Sequence, residues 1–290
     1  MDYEPMISFH LDHHADLTMG VINVTMEEAS RFGVLATDDN YRVTSFVEKP
    51  ANPPSTLANM GVYLFNRDLL DKILWEDRQR KKSSHDFGKD IIPRLVKSDA
   101  RVFAYPYTGY WMDVGTANSY WQAHMDMLSP NPPLKLYNRS WVIHTRTEER
   151  PPARLPAGAR VHASMLCDGV YVGENAIVES SVLSPGVIIK PGAVVRESIL
   201  STDCVVEGGA VVERAILDKH VHVESNARVG WGIADQNIRI AMVGKHSVVP
   251  SGYVIEPEAQ VSTDVIQSDY DESVVHAGQL IQTRRLANEI

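Results

Sequence analysis

From Leu155 onward the chain repeats itself every 17 residues, which restricts its fold more than any other feature. The five segments are LPAGARVHASMLCDGVY, VGENAIVESSVLSPGVI, IKPGAVVRESILSTDCV, VEGGAVVERAILDKHVH and VESNARVGWGIADQNIR. Slot five holds Ala159, Ala176, Ala193, Ala210 and Ala227. Slot seven holds Val161, Val178, Val195, Val212 and Val229, and slot eleven Met165, Val182, Ile199, Ile216 and Ile233. Three short faces joined by turns make one triangular coil, and each coil stacks on the last at a strand spacing of about 4.8 Å. Equivalent aliphatic side chains then line up in one continuous core. The pattern predicts a left-handed parallel β-helix of hexapeptide repeats over residues 155–265, with VGKHSVVPSGYVIEPEAQV as its last coil and 266–290 as a C-terminal tail. Cys167 and Cys204 fall two coils apart, about 10 Å, which is beyond disulfide reach. They read as small buried or edge residues.

Residues 1–128 alternate helix and strand patterns. In MDYEPMISFH, Asp2 is a helix cap and Pro5 sits in the first turn, with Ile7, His10, Leu11 and His14 on one face. DLTMGVINV, the two halves of RFGVLATDDNYRVTSFVEKP, NMGVYLF, RVFAYPY and GYWMDVG read as strands. RDLLDKILWEDRQR and GKDIIPRLV read as helices. TANSYWQAHMDML closes this mixed α/β domain as a helix capped by Thr116, with Trp121, Met125 and Leu128 along one side. SPNPP then opens a linker over 129–154.

Charge and composition exclude several classes. A net charge of -9 lacks the basic footprint that nucleic acid requires. No apolar run approaches the ~20 residues of a membrane span, and the start lacks a secretory layout. Cysteine usage suits a reducing, cytoplasmic setting. His10, His13 and His14 have the spacing of a metal pair but no further ligands, so they read as a solvated helix face. RQRKK at 78–82 reads as a solvated helix end, with an anionic effector contact as the alternative. His162, His220, His222 and His246 read as surface residues of the prism.

Four stretches of the first domain set polar residues into apolar strands: ASRFGVL, FVEKPANPP, SSHDFGKDIIP and GYWMDVGT. Glu48 and Lys49 end a strand before Pro50, where a lysine meets a phosphate as a point charge and a glutamate accepts sugar hydroxyls. Gly33 lets a ligand approach the backbone. Asn59 offers a donor and an acceptor. Asp86 either caps the next helix or meets the ligand. Asp113, flanked by apolar residues, needs a partner if buried.

With LANMGVYLF between them, the prism behind them and IQTRR at the end, these stretches resemble the ADP-glucose pyrophosphorylase (glucose-1-phosphate adenylyltransferase) family. The resemblance implies the C-terminal part of a Rossmann-like nucleotidyltransferase domain with a mixed sheet, followed by the β-helix. It implies the joining of glucose 1-phosphate to the α-phosphorus of ATP, with loss of pyrophosphate, in glucan biosynthesis. Gly33, Glu48, Lys49, Asn59, Asp86 and Trp111 would then bind glucose 1-phosphate or ADP-glucose. Asp113 and Lys49 would be catalytic, with Asp113 holding Mg²⁺ on the nucleotide phosphates. The family often has serine where Asn59 stands and a basic residue where Met112 stands. It also implies a tetramer, or a hetero-oligomer with a complete subunit, and a small-molecule allosteric effector.

The sequence contains no glycine-rich G-x-G-x-R-L-x-P-L-T loop. The family's Gly-Asp pair, which precedes the counterpart of MDYEPM and shares the metal, is not in the chain either. The resemblance therefore implies a chain that starts part-way into the catalytic domain and is inactive alone. Two alternatives are a non-catalytic regulatory or assembly subunit and a hexapeptide acyltransferase. The second leaves the ordered motifs of the first domain unexplained.

Overall fold

The structure is a computed structural model that describes residues 1–145, 148–230 and 239–285. It divides into two compact units, Met1–Trp111 and Met112–Ile290.

The first unit is built on a five-stranded mixed sheet in the order β3-β2-β4-β1-β5. Its elements are α1 (Glu4–Asp12), β1 (Leu17–Asn23), α2 (Met26–Ala29), β2 (Gly33–Thr37), β3 (Val43–Glu48), β4 (Leu57–Phe65), α3 (Arg67–Arg78), a π-helical turn (Phe87–Ile91), α4 (Ile92–Val96) and β5 (Val102–Pro106). β1 pairs parallel with β5, and the other pairings are antiparallel. Leu17, Met19 and Val21 of β1 pack with Leu35, Ile73, Ile91, Ile92 and Leu95 in the core. α2 was not expected. Thr25 and Glu28 close a capping box there, a T-x-x-E pattern that the sequence carries in plain view.

Two expectations for this unit fail. α1 buries Met6 and His10, whereas Ile7 and Leu11 are 46% and 64% exposed. His10 is a core residue, because its Nδ1 bonds the Thr18 hydroxyl at 2.8 Å and its Nε2 lies 3.4 Å from Asn66 Oδ1. Asp2 does meet the helix start, accepting from the Glu4 N–H at 3.0 Å. GYWMDVG forms no strand. The last ladder bond of β5 runs from Tyr107 N–H to the Val21 carbonyl, and beyond it the backbone has no neighbouring strand to pair with.

Arg101 fastens the starts of β1 and β5 by a two-pronged pair with Asp16, at 2.7 and 3.1 Å. The guanidinium holds the Asp16 carboxyl down at about 2. A carboxylate whose folded pKa lies below its unfolded value of about 3.9 contributes its full stability above that unfolded value. The contribution is lost as pH falls through the folded value. The first unit should therefore lose stability between pH 4 and pH 2, and Asp16→Asn should flatten that part of a melting-temperature profile.

The second unit contains three parallel ladders, two of seven strands and one of five. They form a parallel β-solenoid of about seven turns, as the repeat predicts. Slot seven stacks in register: Val161 on Val178, Val195, Val212, Val229, then Ile255 and Val275. The 17-residue period breaks after Val229. Ile216 pairs with Met242, 26 positions on, so Met242 takes the slot expected for Ile233. Ile233 itself lies outside the described residues. The ladders also continue through 266–281, expected as a tail, because Val274–Val275 and Leu280–Ile281 pair with the preceding coils.

Cys204 is buried and Cys167 exposed, and both are free thiols. Burial pushes the Cys204 thiol up to about 12. α5 (Ala117–Met127), capped by Thr116 as expected, was expected to close the first domain. Its residues pack on the solenoid. Trp121 clusters with Ile199 and Ile240, and its indole N–H donates to the Glu197 carbonyl at 2.6 Å.

Serine fills one inner column of the solenoid. The hydroxyl of Ser181 accepts from the Ser198 N–H, and that of Ser198 accepts from the Ala215 N–H, each at 3.1 Å. Each hydroxyl also donates to a carbonyl of its own coil, Glu179 or Arg196. Ser198→Ala leaves the buried Ala215 N–H unmet, a loss of about 1–3 kcal/mol. Thermal melting of the second unit should drop by several degrees.

Candidate functional site

Strand pairing puts Gly33 opposite Glu48. The Glu48 carboxylate lies where any side chain at Gly33 or Gly88 would have to go. A Cβ built on Gly33 would lie 2.7 Å from Glu48 Oε2, and one on Gly88 would lie 2.5 Å from it. Two bare backbones therefore flank one carboxylate, which suits close approach of a ligand. Gly88 belongs to the π-helical turn, a geometry frequent at functional sites.

The pairing of Val34 with Ala58 brings β4 beside β2 and Asn59 near Gly33. The Asn59 amide donates to the Tyr63 hydroxyl at 2.6 Å, and its carbonyl accepts from Gly61 N–H at 3.1 Å. Tyr63 stacks on Phe87 with ring centroids 5.8 Å apart. Burial raises the Tyr63 phenol, and the Glu48 and Asp86 carboxylates raise it further. Tyr63 therefore stays a neutral donor beside two carboxylates.

Asp86 does cap the helical turn, since its Oδ1 accepts from the Lys89 N–H at 2.9 Å. The same oxygen lies 3.4 Å from the Cβ position of Gly88, so the capping residue is also a wall of the site. Lys49 takes a left-handed backbone with φ of 45°. Its N–H donates to the Phe32 carbonyl at 3.1 Å, and its side chain is exposed. Trp111 meets Phe32 edge-on at 5.6 Å.

Gly33, Glu48, Lys49, Asn59, Asp86 and Trp111 thus all lie in the first unit, around β2, the end of β3, the start of β4 and the 83–88 loop. Asp113 belongs to the second unit, where its Oδ1 accepts from Gly115 N–H at 3.2 Å, ahead of the Thr116 cap. Sequence reading missed Tyr63 and Gly88. Both stand inside quoted stretches, LANMGVYLF and SSHDFGKDIIP, and only the folded structure shows that they lie near Glu48.

Residues 1–130 match the family model "Nucleotidyl transferase", and residues 151–249 match "GlmU-like, C-terminal hexapeptide". Fold and matched segments agree: a segment similar to nucleotidyltransferases is joined to a solenoid similar to hexapeptide-repeat domains. In sequence the chain is similar to glucose-1-phosphate adenylyltransferases. It is 45% identical to the enzyme of that name from Thermotoga maritima over 176 residues, 60% of this chain and 42% of the relative. The Geobacillus stearothermophilus enzyme is 47% identical over 172 residues, 59% of this chain and 44% of the relative. The Bacillus subtilis enzyme is 45% identical over 175 residues, 60% of this chain and 46% of the relative. The chain thus spans less than half the length of these relatives. Among the described residues no helix is long and apolar enough to cross a membrane.

Proposed function

We propose that the first unit carries the sugar-phosphate side of a glucose-1-phosphate adenylyltransferase site. The observation that supports this most is the Glu48 carboxylate held between the backbones of Gly33 and Gly88. In this reading Glu48 accepts sugar hydroxyls, and the walls are Asn59, Tyr63, Asp86 and Trp111. The Lys49 ammonium meets the phosphate as a compact charge. The reaction is attack by the sugar phosphate on the α-phosphorus of ATP, with pyrophosphate leaving. Catalysis of that kind rests on positioning and on neutralising phosphate charge.

Among the described residues no three His, Cys, Asp or Glu side chains converge as a metal cage. Mg²⁺ carried on nucleotide phosphates needs only one or two protein carboxylates, and Asp113 fits that donor role. When bound, the ion neutralises phosphate charge. Tetramer assembly, response to a small-molecule effector and a cytoplasmic setting belong to the same reading.

Calorimetric titration with glucose 1-phosphate and ADP-glucose tests it. Lys49→Ala should weaken glucose 1-phosphate binding by about tenfold or more, the worth of a charge-assisted contact. Equal affinity of Lys49→Ala and the unsubstituted protein would overturn the assignment of Lys49 to the phosphate.

A further inference from the structure

Asp77, near the end of α3, is buried at 2% exposure, far more than an aspartate ordinarily is. Both of its oxygens accept from the Ser83 hydroxyl, at 2.8 and 3.0 Å. Its Oδ2 lies 2.7 Å from His85 Nδ1. A carboxylate only accepts, so Nδ1 carries the proton. Arg94 Nη1 stands 3.5 Å from Oδ1. Asp90 holds the same loop from the other side: its Oδ2 accepts from the Ser84 N–H and hydroxyl and from the Asp86 N–H. His85 is in the left-handed region with φ of 59°, which among side chains other than glycine is entered most often by asparagine, aspartate and histidine. The bond from His85 Nδ1–H to Asp77 anchors that turn to α3.

We propose that Asp77 is a positioning residue for the sugar-phosphate site: through the Ser83 hydroxyl and His85 Nδ1–H it fixes the 83–86 loop so that Asp86 and the Gly88 backbone face Glu48. The proposal rests on the reading of that site as a sugar-phosphate site. Asp77 itself touches no part of the ligand. It acts from a rigid helix on a loop whose internal bonds do not tie it to α3.

The experiment turns on an isostere. The side-chain amide nitrogen of asparagine stands as far from its Cα as Nδ1 does in histidine, and asparagine tolerates the left-handed backbone. His85→Asn therefore keeps the donor, whereas His85→Gln displaces it and His85→Ala removes it. Two readouts are taken on the full chain: glucose 1-phosphate affinity by calorimetry, and amide exchange of residues 83–88 without ligand. Expected are affinity and exchange close to those of the unsubstituted protein in His85→Asn. His85→Gln, His85→Ala and Asp77→Asn should bind about tenfold more weakly and exchange about tenfold faster in that loop, the worth of one charge-assisted bond. A merely structural role would show as lost thermal stability in all four variants without rescue by asparagine. Unchanged loop exchange in His85→Gln and Asp77→Asn overturns the proposal. If the unsubstituted protein binds no sugar phosphate, the functional reading fails, and the exchange data still decide whether Asp77 orders the loop.

Discussion

Gly88→Ala should weaken sugar-phosphate binding while leaving the protein folded. A methyl group at this position lies 2.5 Å from Glu48 Oε2 and 2.8 Å from Glu48 Cδ. Glu48 is only half-buried, at the end of a strand, so its carboxylate swings away at little cost. Gly88 has no left-handed φ, and alanine is favoured over glycine in a helical turn by about 1 kcal/mol. The fold therefore loses nothing, but the acceptor for the sugar hydroxyls moves and the methyl occupies the space of the ligand. Binding of glucose 1-phosphate should fall by about tenfold to a hundredfold, the worth of one or two hydrogen bonds to a charged group. Gly33→Ala makes a useful contrast. Its methyl meets Phe46 Cζ at 2.5 Å as well as Glu48, and Phe46 is a buried core residue. That variant should lose binding and stability together. Calorimetry combined with a melting curve separates the two outcomes, and unchanged affinity in Gly88→Ala contradicts the role given to Glu48.

Leu200→Ala should be the most damaging single truncation in the solenoid. Leu200 is fully buried, and its ladder position stacks between Leu183 and Leu217. Removing its side chain opens a cavity between three coils that close neighbours cannot fill, because each coil is pinned at strand spacing. Large-to-small changes of this kind cost about 2–5 kcal/mol. For a unit of this size that corresponds to a fall of about 5–15 °C in melting temperature. Val194, on the same strand as Val195 but only half-buried, is the control, and Val194→Ala should cost under about 1 kcal/mol. Circular dichroism melting reads both. A change under about 2 °C in Leu200→Ala would mean that the coils repack independently of their neighbours.

The solenoid was legible because each coil repeats the same demand on the same slots, so chance alternation is averaged out over five copies. The period failed between Ile216 and Met242, where the step between paired positions is 26 residues instead of 17, and an isoleucine at the expected spacing disguised the break. In the first unit, strands rich in β-branched and aromatic residues, such as Val43–Glu48, were readable. α1 was readable as a helix but its buried face was not, because its buried residues Met6 and His10 include a polar one. A histidine satisfied by Thr18 and Asn66 is invisible to a hydrophobic pattern. The site residues were found one by one in quoted motifs. Their meeting depends on which strands pair and on a loop held by Asp77 and Asp90, relations between positions far apart in the chain. Tyr63 and Gly88 were missed for that reason.

A crystal structure of the protein soaked with glucose 1-phosphate tests the central claim most directly. The account predicts the sugar ring against the backbones of Gly33 and Gly88, with hydroxyls on Glu48 and the phosphate at Lys49. A sugar phosphate bound elsewhere, for instance at the basic 80–82 turn beside Arg94, with the Glu48 pocket empty, would contradict it.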